Sequence, residues 1–251
     1  MSSIKISIII AVYNGERFLK QTITSILNQT YKNLELIIVD GKSSDGTLEI
    51  IKGFESKKIK WISENDKGIS DAFNKGLDLA TGDYINFQGD GDGFKNNFVL
   101  EKLFSGIKLE NKPLICGNIE RVDINGNFIF QTDLKNKFNK KSLLFKMSLP
   151  HQGLFTPKEF FNTFGKFDGK NKYCMDYDIL LRAYHNFPPV ICDKITVSYW
   201  RADGLGEGRT IEILKEYNKI KIRNRVSNRI YLFIIHIFSL TKFYIKNIFK
   251  I

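Results

Sequence analysis

The chain has 251 residues, 43% hydrophobic and 26% charged, which excludes an intrinsically disordered protein and fits one large domain or two small ones. Its three cysteines are scattered without a CxxC pair, which excludes a disulfide framework and a zinc-ligand pattern. The formal net charge is +11, and +8 of it comes from the stretch after Glu216, which contains no acidic residue.

The first half of the chain alternates strand-like and helix-like segments. The predicted strands are 6–12, 34–39, 59–62 and 84–87. The predicted helices are 17–28, a helix capped by Ser44-Asp45, and 70–79. This alternation predicts an α/β fold with a mostly parallel central sheet and helices on both faces. Ligands of such sheets collect beyond the carboxyl ends of the strands, where the chain places Tyr13, Asp40, Glu64 and Asp90.

The second half is less regular. Asn125-Gly126 lies between the apolar stretches 119–124 and 128–131, which predicts a β-hairpin. A helix is predicted at 176–185 and a strand at 190–200. The following segment, 202–209, is rich in glycine and is predicted to be a loop.

Two carboxylates follow the fourth predicted strand. Asp90 and Asp92 are separated by one glycine, so both can reach one hard cation such as Mn²⁺ or Mg²⁺. Aspartate and glycine are also favoured in ordinary surface turns, and this second interpretation stays open at the level of the sequence.

Acidic and basic residues also follow the second and third strands. Asp40 can accept hydrogen bonds from a nucleotide base or ribose. The stretch 64–68 precedes a helix, and cations beside a helix N-terminus suit a diphosphate. A solvated loop in front of a capped helix explains the same residues without a ligand.

Several blocks then match one family in order. In the first half they are SIIIAVYN (7–14), SILNQTY (25–31), LIIVDGKSSDGT (36–47), ISENDKGI (62–69), DAFNKG (71–76) and ATGDYI (80–85) leading into DGD (90–92). In the second half they are PHQ (150–152), GKFD (165–168) and DYDILLR (176–182). The ordered set resembles the inverting glycosyltransferases of family 2, which have the GT-A fold. It is most similar to the bacterial branch that builds surface polysaccharides such as colanic acid or O-antigen.

The resemblance implies a role for each matching residue. Asp176 corresponds to the catalytic base of the family. The implied nucleotide-sugar ligands are Ala11, Tyr13, Asp40, Asp66, Lys67, Asn74 and Asp90. Asp90 and Asp92 resemble the metal-binding DxD motif, with Asp92 the better direct ligand. His151 and Gln152 are implied to lie near the acceptor or the diphosphate, and the 202–209 loop resembles the lid over the donor.

The resemblance therefore implies a metal-dependent inverting transferase. It would move a hexose-type sugar from a nucleoside-diphosphate donor, UDP-sugar favoured, to a hydroxyl of a lipid-linked or oligosaccharide acceptor in surface polysaccharide biosynthesis. The alternative is a catalytically silent module that binds nucleotide-sugars or polysaccharides. A dinucleotide oxidoreductase is excluded, because the first strand is followed by AVYNGE and not by a GxGxxG turn.

The segment 211–251 is predicted to be a basic, amphipathic helical extension of a domain at 1–210. Its apolar run, 230–240, is shorter than the roughly 20 residues that span a bilayer, which favours a helix lying on a membrane surface. A helix packed on the domain or on a second subunit is the alternative. Because the charge lies beside apolar residues, we expect an anionic membrane and no nucleic acid as the partner. Residues 1–14 lack a signal-peptide pattern, so the predicted location is cytoplasmic, at the inner face of the cell membrane.

Overall fold

The computed structural model describes residues 4–104, 111–202 and 204–249. Its strands are β1 Ile6–Val12, β2 Leu34–Asp40, β3 Ile59–Ser63, β4 Tyr84–Gly89, β5 Gly93–Phe94, β6 Leu114–Val122, β7 Phe128–Gln131, β8 Leu154–Pro157 and β9 Val190–Arg201. Its α-helices are α1 Leu19–Leu27, α2 Thr47–Lys52, α3 Ile69–Leu79, α4 Val99–Phe104, α5 Lys158–Phe164, α6 Met175–Arg182, α7 Thr210–Arg223 and α8 Arg229–Phe249. Asp203 of the predicted loop and Lys250 of the predicted tail lie outside the described residues.

The first four strands form the parallel sheet that the sequence predicts. Their order is β3-β2-β1-β4, and each neighbouring pair is parallel. All seven residues of β1 are buried. Ile8 and Ile10 pack into a core with α1, α2 and α4, whereas Ile9 and Ala11 pack into a second core with α3. Helices therefore cover both faces, which explains why β1 is apolar throughout instead of alternating.

The second half extends this sheet with mixed pairing. The strand order continues from β4 through β8, β6 and β9 to β5, and β7 pairs with β6. The pairings of β8 with β4 and β6 are antiparallel, whereas β6 and β9 are parallel. The predicted hairpin is confirmed as β6 and β7, with Gly126 at a φ of 87° in the turn. That positive φ is the reason for glycine there.

Several helix boundaries differ from the sequence prediction, among them those of α2 and α6. Helix α2 begins at Thr47 with Gly46 at its N-cap, so the predicted cap at Ser44-Asp45 is wrong by one to two residues. The Asp45 carboxylate still accepts the Thr47 N–H at 3.1 Å, but it does so from a turn before the helix. Helix α6 ends at Arg182, and Tyr184–Asn186 forms a separate 3-10 turn.

The C-terminal helices pack on the rest of the molecule. Ile220 of α7 and Val226 after it share an apolar core with α3 and α6, as do Leu232 and Ile235 of α8. Helix α7 starts at the predicted boundary near residue 210, and the division into two units stays a prediction. Within 4–104, 111–202 and 204–249, no helix has the length and hydropathy needed to cross a bilayer.

Candidate active site

Polar side chains collect at one edge of the parallel sheet. Tyr13 follows β1, Asp40 is the last residue of β2, and Asp66 follows β3. Asp90 and Asp92 follow β4. Because β1 to β4 run in parallel, all five positions lie at the carboxyl-end edge of the sheet, where α/β proteins bind their ligands.

Two glycines show how closely these loops approach each other. A Cβ atom at Gly41 would lie 2.6 Å from Asp66 Oδ2 and 3.4 Å from the Tyr13 ring. A Cβ atom at Gly15 would lie 2.8 Å from Asp90 Oδ2. Any larger residue at either position would push a candidate ligand side chain aside, so the glycines keep these loops in contact.

Asp40 is completely buried and its carboxylate is satisfied by serines. Ser63 Oγ donates to it at 2.5 Å, and both the N–H and the hydroxyl of Ser43 also donate to it. Asp40 therefore closes the loop after β2 in this structure. A base or ribose would contact Asp40 by replacing one of the two serine hydroxyls.

The loop before α3 is held by its own acidic side chains. Asp66 Oδ1 accepts the Gly68 N–H at 2.8 Å, and the exposed Lys67 donates its N–H to Asp71 at 3.1 Å. Asn74 uses both ends of its amide on the backbone of Phe167, at 2.9 Å each. Asn74 therefore joins α3 to the segment before α6 and is committed to that contact.

Asp92 is the most buried of the candidate metal ligands. Its Oδ2 accepts from Gly89 N–H and Gln152 Nε2 at 3.0 Å each, and its Oδ1 accepts from Arg201 N–H at 3.2 Å. Burial, with a smaller contribution from the charge of Asp90, raises the pKa of Asp92 to about 6 against the effect of these hydrogen bonds. A cation bound by the two carboxylates would offset the free-energy cost of burying the charged Asp92 and the repulsion between Asp92 and Asp90.

The donor set fits a divalent cation that shares its ligands with a substrate. Asp90 and Asp92 supply hard oxygen ligands. In the described ranges no group of three or more His, Cys, Asp or Glu residues could enclose a metal ion by itself. Mg²⁺ and Mn²⁺ are commonly held by one or two carboxylates, with substrate phosphates and water completing the coordination, and the site fits that arrangement.

A buried amide network lies under Asp92. Gln88 is completely buried; its Nε2 donates to Gln152 O at 3.0 Å and its Oε1 accepts from Ser198 Oγ at 3.1 Å. Asn86 also donates to Gln152 O, at 3.1 Å. These bonds fix Gln152, which in turn binds Asp92. They explain the glutamine at the end of β4 as a support for the site.

His151 shares a cavity with Asp176 and directly precedes Gln152, which binds Asp92. Its ring stacks on Phe87 at 5.4 Å between centroids, and its Nε2 is buried without a hydrogen-bond partner in the described part of the chain. Burial lowers the pKa of His151, and the nearby Asp176 partly opposes that shift. His151 and Asp176 line one small cavity, whose remaining lining is almost wholly apolar and includes Phe87 and Phe167. Since Gln152 is the next residue, the side chain that donates to Asp92 directly follows the one that shares this cavity with Asp176.

Asp176 lies in the first turn of α6 and is half-buried. Its Oδ1 accepts the Tyr177 N–H at 2.8 Å, and its Oδ2 accepts no hydrogen bond from the residues described. Ser70 in the first turn of α3 donates to Met175 Sδ at 2.8 Å, so the N-termini of α3 and α6 meet. Asp176 therefore lines the same cavity as His151 and keeps one carboxylate oxygen without a hydrogen bond from the described residues.

Asp178, one turn further along α6, fixes that helix. It pairs with Arg182 at 3.2 Å, as the i,i+4 spacing of the two residues on a helix favours. It also pairs with Arg223 at 2.7 Å and accepts from Asn224 at 3.0 Å, so α6 is tied to the end of α7. Asp178 is almost completely buried, and its place in this network identifies it as structural.

Arg201 is the site residue that sequence reasoning missed. Its N–H binds Asp92, its guanidinium lies 3.6 Å from the Phe18 ring centroid, and its Nη1 donates to Ile124 O at 2.7 Å. A Cβ atom at Gly91 would lie 2.9 Å from Arg201 Nε. The only sequence signal was its place at the end of a strand, because Asp92 is 109 residues away.

The sequence profile described as Glycosyl transferase family 2 matches residues 7–166, which include all of β1 to β4. This chain belongs to glycosyltransferase family 2. It is 39% identical over 142 residues to an uncharacterized glycosyltransferase of Haemophilus influenzae, covering 55% of this chain and 56% of that protein. It is 30% identical over 190 residues to a PGL/p-HBAD biosynthesis glycosyltransferase of Mycobacterium bovis, covering 74% of this chain and 72% of that protein.

The chain spans about half of the Haemophilus relative, and its matches cover 27% to 58% of four Rickettsia relatives. Its fold is similar to that of S. aureus TarS 1-349 in complex with UDP-GlcNAc, with a TM-score of 0.71 and 19% identity. The match covers 94% of this chain and 71% of the TarS chain. Its fold is also similar to that of the mannosyltransferase PcManGT of Pyrobaculum calidifontis in complex with GDP-Man and Mn²⁺, with a TM-score of 0.66 and 16% identity. This match covers 95% of this chain and 70% of the PcManGT chain. These likenesses confirm the GT-A-like α/β fold.

Proposed function

We propose that this family 2 member is an inverting glycosyltransferase that moves a hexose-type sugar from a nucleoside-diphosphate donor, UDP-sugar favoured, to an acceptor hydroxyl. One observation carries the proposal. The sheet edge bearing Asp90 and Asp92 is joined through His151-Gln152 to the cleft that contains Asp176. Such a site would hold a leaving diphosphate and a proton acceptor side by side, as a single displacement requires.

The donor side of the proposed site runs along the ends of β1 to β4. Tyr13 and Asp40 would contact the nucleoside, beside Ala11, the next-to-last residue of β1. Asp66 and Lys67 lie at the N-terminus of α3, which suits the diphosphate. Relatives of this fold that bind UDP-GlcNAc or GDP-Man with Mn²⁺ support a nucleotide-sugar donor.

A bound Mn²⁺ or Mg²⁺ would be held by Asp92 and Asp90, and it would neutralise charge on the departing diphosphate. Opposite the diphosphate, the oxygen of the acceptor hydroxyl would form a bond to the anomeric carbon. Asp176 would accept the proton of that hydroxyl as the bond forms. The bond from that carbon to the diphosphate oxygen breaks at the same time. His151 and Gln152 would position the acceptor or the diphosphate between these groups.

The decisive test is turnover of a panel of UDP- and GDP-sugars by the purified chain, with Mn²⁺ and then with EDTA. We expect hydrolysis or transfer of at least one donor, lost about 10³-fold on chelation, because a metal stabilises the leaving group by several kcal/mol. Tight donor binding without any turnover would contradict the enzyme and favour the catalytically silent binding module. Activity unchanged by EDTA would contradict the metal role.

Helix α8 supports a membrane location for this reaction. Leu232 and Ile235 are buried residues of α8 and pack on the domain. The opposite side of α8 faces solvent, and its exposed apolar residues are Ile230, Phe233, Ile234, Ile237, Phe238, Tyr244, Ile245 and Ile248. A 21-residue helix with such a bare side, flanked by basic residues, suits an anionic bilayer surface.

We therefore extend the proposal to a peripheral enzyme at the inner face of the cell membrane, with a lipid-linked saccharide as acceptor in surface polysaccharide biosynthesis of the colanic acid or O-antigen type. The relative in PGL/p-HBAD biosynthesis supports a cell-surface pathway in general terms. The two-unit division, 1–210 for transfer and 211–251 for membrane contact, belongs to this proposal.

The triple variant Phe233→Ser, Ile237→Ser and Ile248→Ser tests this contact without removing the buried residues of α8. We expect its partition onto vesicles containing phosphatidylglycerol to fall about 100-fold in co-sedimentation, because three apolar side chains no longer enter the interface. Trp61→Ser, which removes an exposed aromatic from β3, should leave partition unchanged. Equal partition of the triple variant and the parent would exclude α8 as an anchor.

A further inference from the structure

The β6–β7 hairpin carries a second exposed apolar surface. Phe128, Ile129 and Phe130 are 62%, 48% and 42% exposed, and Ile124 at the start of the turn is 41% exposed. We name these four residues the apolar hairpin. Side chains alternate between the two faces of a strand, so both faces of β7 are bare. An apolar edge strand of this kind is an aggregation hazard unless something covers it.

A basic segment follows the apolar hairpin directly. Residues 133–146, named here the lysine segment, contain five lysines and one aspartate. Asp133 is paired with Lys135 at 2.6 Å, so it cannot balance the others. Lys137, Lys141 and Lys146 are exposed and make no ion pair with any residue of the described ranges. Cations beside bare apolar side chains match an anionic lipid surface, where headgroups are charged and the layer beneath is apolar.

The geometry of β7 favours a bilayer over a protein strand as its cover. A strand from another chain would pair with the free edge of β7 and would leave both of its faces exposed. Insertion into a lipid interface buries both faces at once. The four residues of β7 span about 13 Å, which suits the headgroup and upper acyl region and is far less than a bilayer.

The apolar hairpin is also connected to the candidate active site. Arg201 Nη1 donates to Ile124 O at 2.7 Å, and Arg201 N–H donates to Asp92 at 3.2 Å. One residue thus links the turn of the hairpin to the candidate metal carboxylate. A surface seated on the hairpin would therefore lie beside the site, where a membrane-borne acceptor could reach it.

We propose that the apolar hairpin inserts into the surface of an anionic lipid bilayer, with the lysine segment contacting the headgroups, as a membrane contact separate from α8. This contact does not depend on sugar transfer. We expect the apolar hairpin and α8, which are distant in the sequence, to share the free energy of membrane binding. Loss of either contact should weaken membrane binding without unfolding the protein.

The double variant Phe128→Ser and Phe130→Ser, with α8 intact, tests the proposal. We expect its partition onto phosphatidylglycerol-containing vesicles to fall about tenfold or more relative to the parent, because two rings no longer enter the interface. Phe98→Ser, which removes an equally exposed ring in front of α4, should not change partition. Charge reversal by Lys137→Glu and Lys141→Glu should lower the preference for anionic over phosphatidylcholine vesicles by about tenfold or more.

A second measurement locates the hairpin in the bilayer. In Phe128→Trp, brominated lipids should quench fluorescence beyond the level seen in the parent, which has only Trp61 and Trp200. Absence of extra quenching, or unchanged partition of the double serine variant, would overturn the proposal. A parent that dimerises while the double variant is monomeric, without quenching, would show that a second copy covers the hairpin. Donor hydrolysis should be equal in parent and variants, so a failed membrane result is distinct from a failed enzyme.

Discussion

Asp176→Asn should lower sugar transfer by about 10²- to 10⁴-fold, the usual contribution of a general base. The amide keeps the shape of the side chain, and its oxygen can still accept the Tyr177 N–H that Asp176 Oδ1 accepts at 2.8 Å. It cannot take the proton of an acceptor hydroxyl. Donor affinity should change little, since the substitution lies on the acceptor side of the cleft. Initial rates of transfer and the dissociation constant of the nucleotide, measured on the same preparation, check this expectation.

Glu101→Gln is the matched control for this variant. Glu101 is also an acidic residue in the first turn of a helix, α4, but α4 lies in the core opposite to that of α3 and α6. The Glu101→Gln variant should transfer sugar at the rate of the parent protein. Near-normal transfer by a folded Asp176→Asn protein would remove Asp176 from the role of base and leave it as a residue of the helix N-terminus.

Asp92→Asn should abolish metal-dependent turnover, with a loss of about 10³-fold or more, because it removes a carboxylate that we propose to bind the cation. The variant should still fold, since an amide can occupy the same buried position. Isothermal titration with Mn²⁺ in the presence of the nucleotide should show weakened metal binding. Transfer by the variant that still responds to Mn²⁺ like the parent would contradict the role of Asp92.

The same carboxyl predicts a pH dependence. Burial raises the pKa of Asp92 to about 6, so in the metal-free protein the group is protonated below that pH and a cation must displace a proton. We expect Mn²⁺ stimulation to be full above pH 7 and to weaken as the pH falls below about 6. Asp83→Asn, at the opposite end of β4, should keep the parent profile. A flat profile across this range would contradict the assignment.

Much of the site could be predicted because parallel sheets bring strand ends together. The apolar runs that became β1, β2 and β4 are visible in the sequence, and the polar residues after them must then meet at one edge. The i,i+4 pair of Asp178 and Arg182 was predictable for the same reason, since helix geometry alone places them together. Local periodicity was sufficient in each case.

Contacts between distant segments were not predictable in this way. No pattern in the sequence indicates that Arg201 would bind Asp92, or that the side-chain amide of Asn74 would bind the backbone of Phe167. The orientation of α8 is a further example, because a helix that is apolar on several sides can pack in more than one rotation. Only the docked structure shows that Leu232 and Ile235 face the domain.

The sequence by itself determined the family, the parallel half of the sheet and the identity of the acidic residues at its edge, because these depend on local periodicity and ordered motifs. The tertiary structure alone decided which of those residues are buried, which are satisfied by neighbours, and which apolar surfaces are left bare on β7 and α8. The physical reason is that burial and pairing are properties of segments brought together from far apart in the chain, and neither is encoded in the spacing of any one segment.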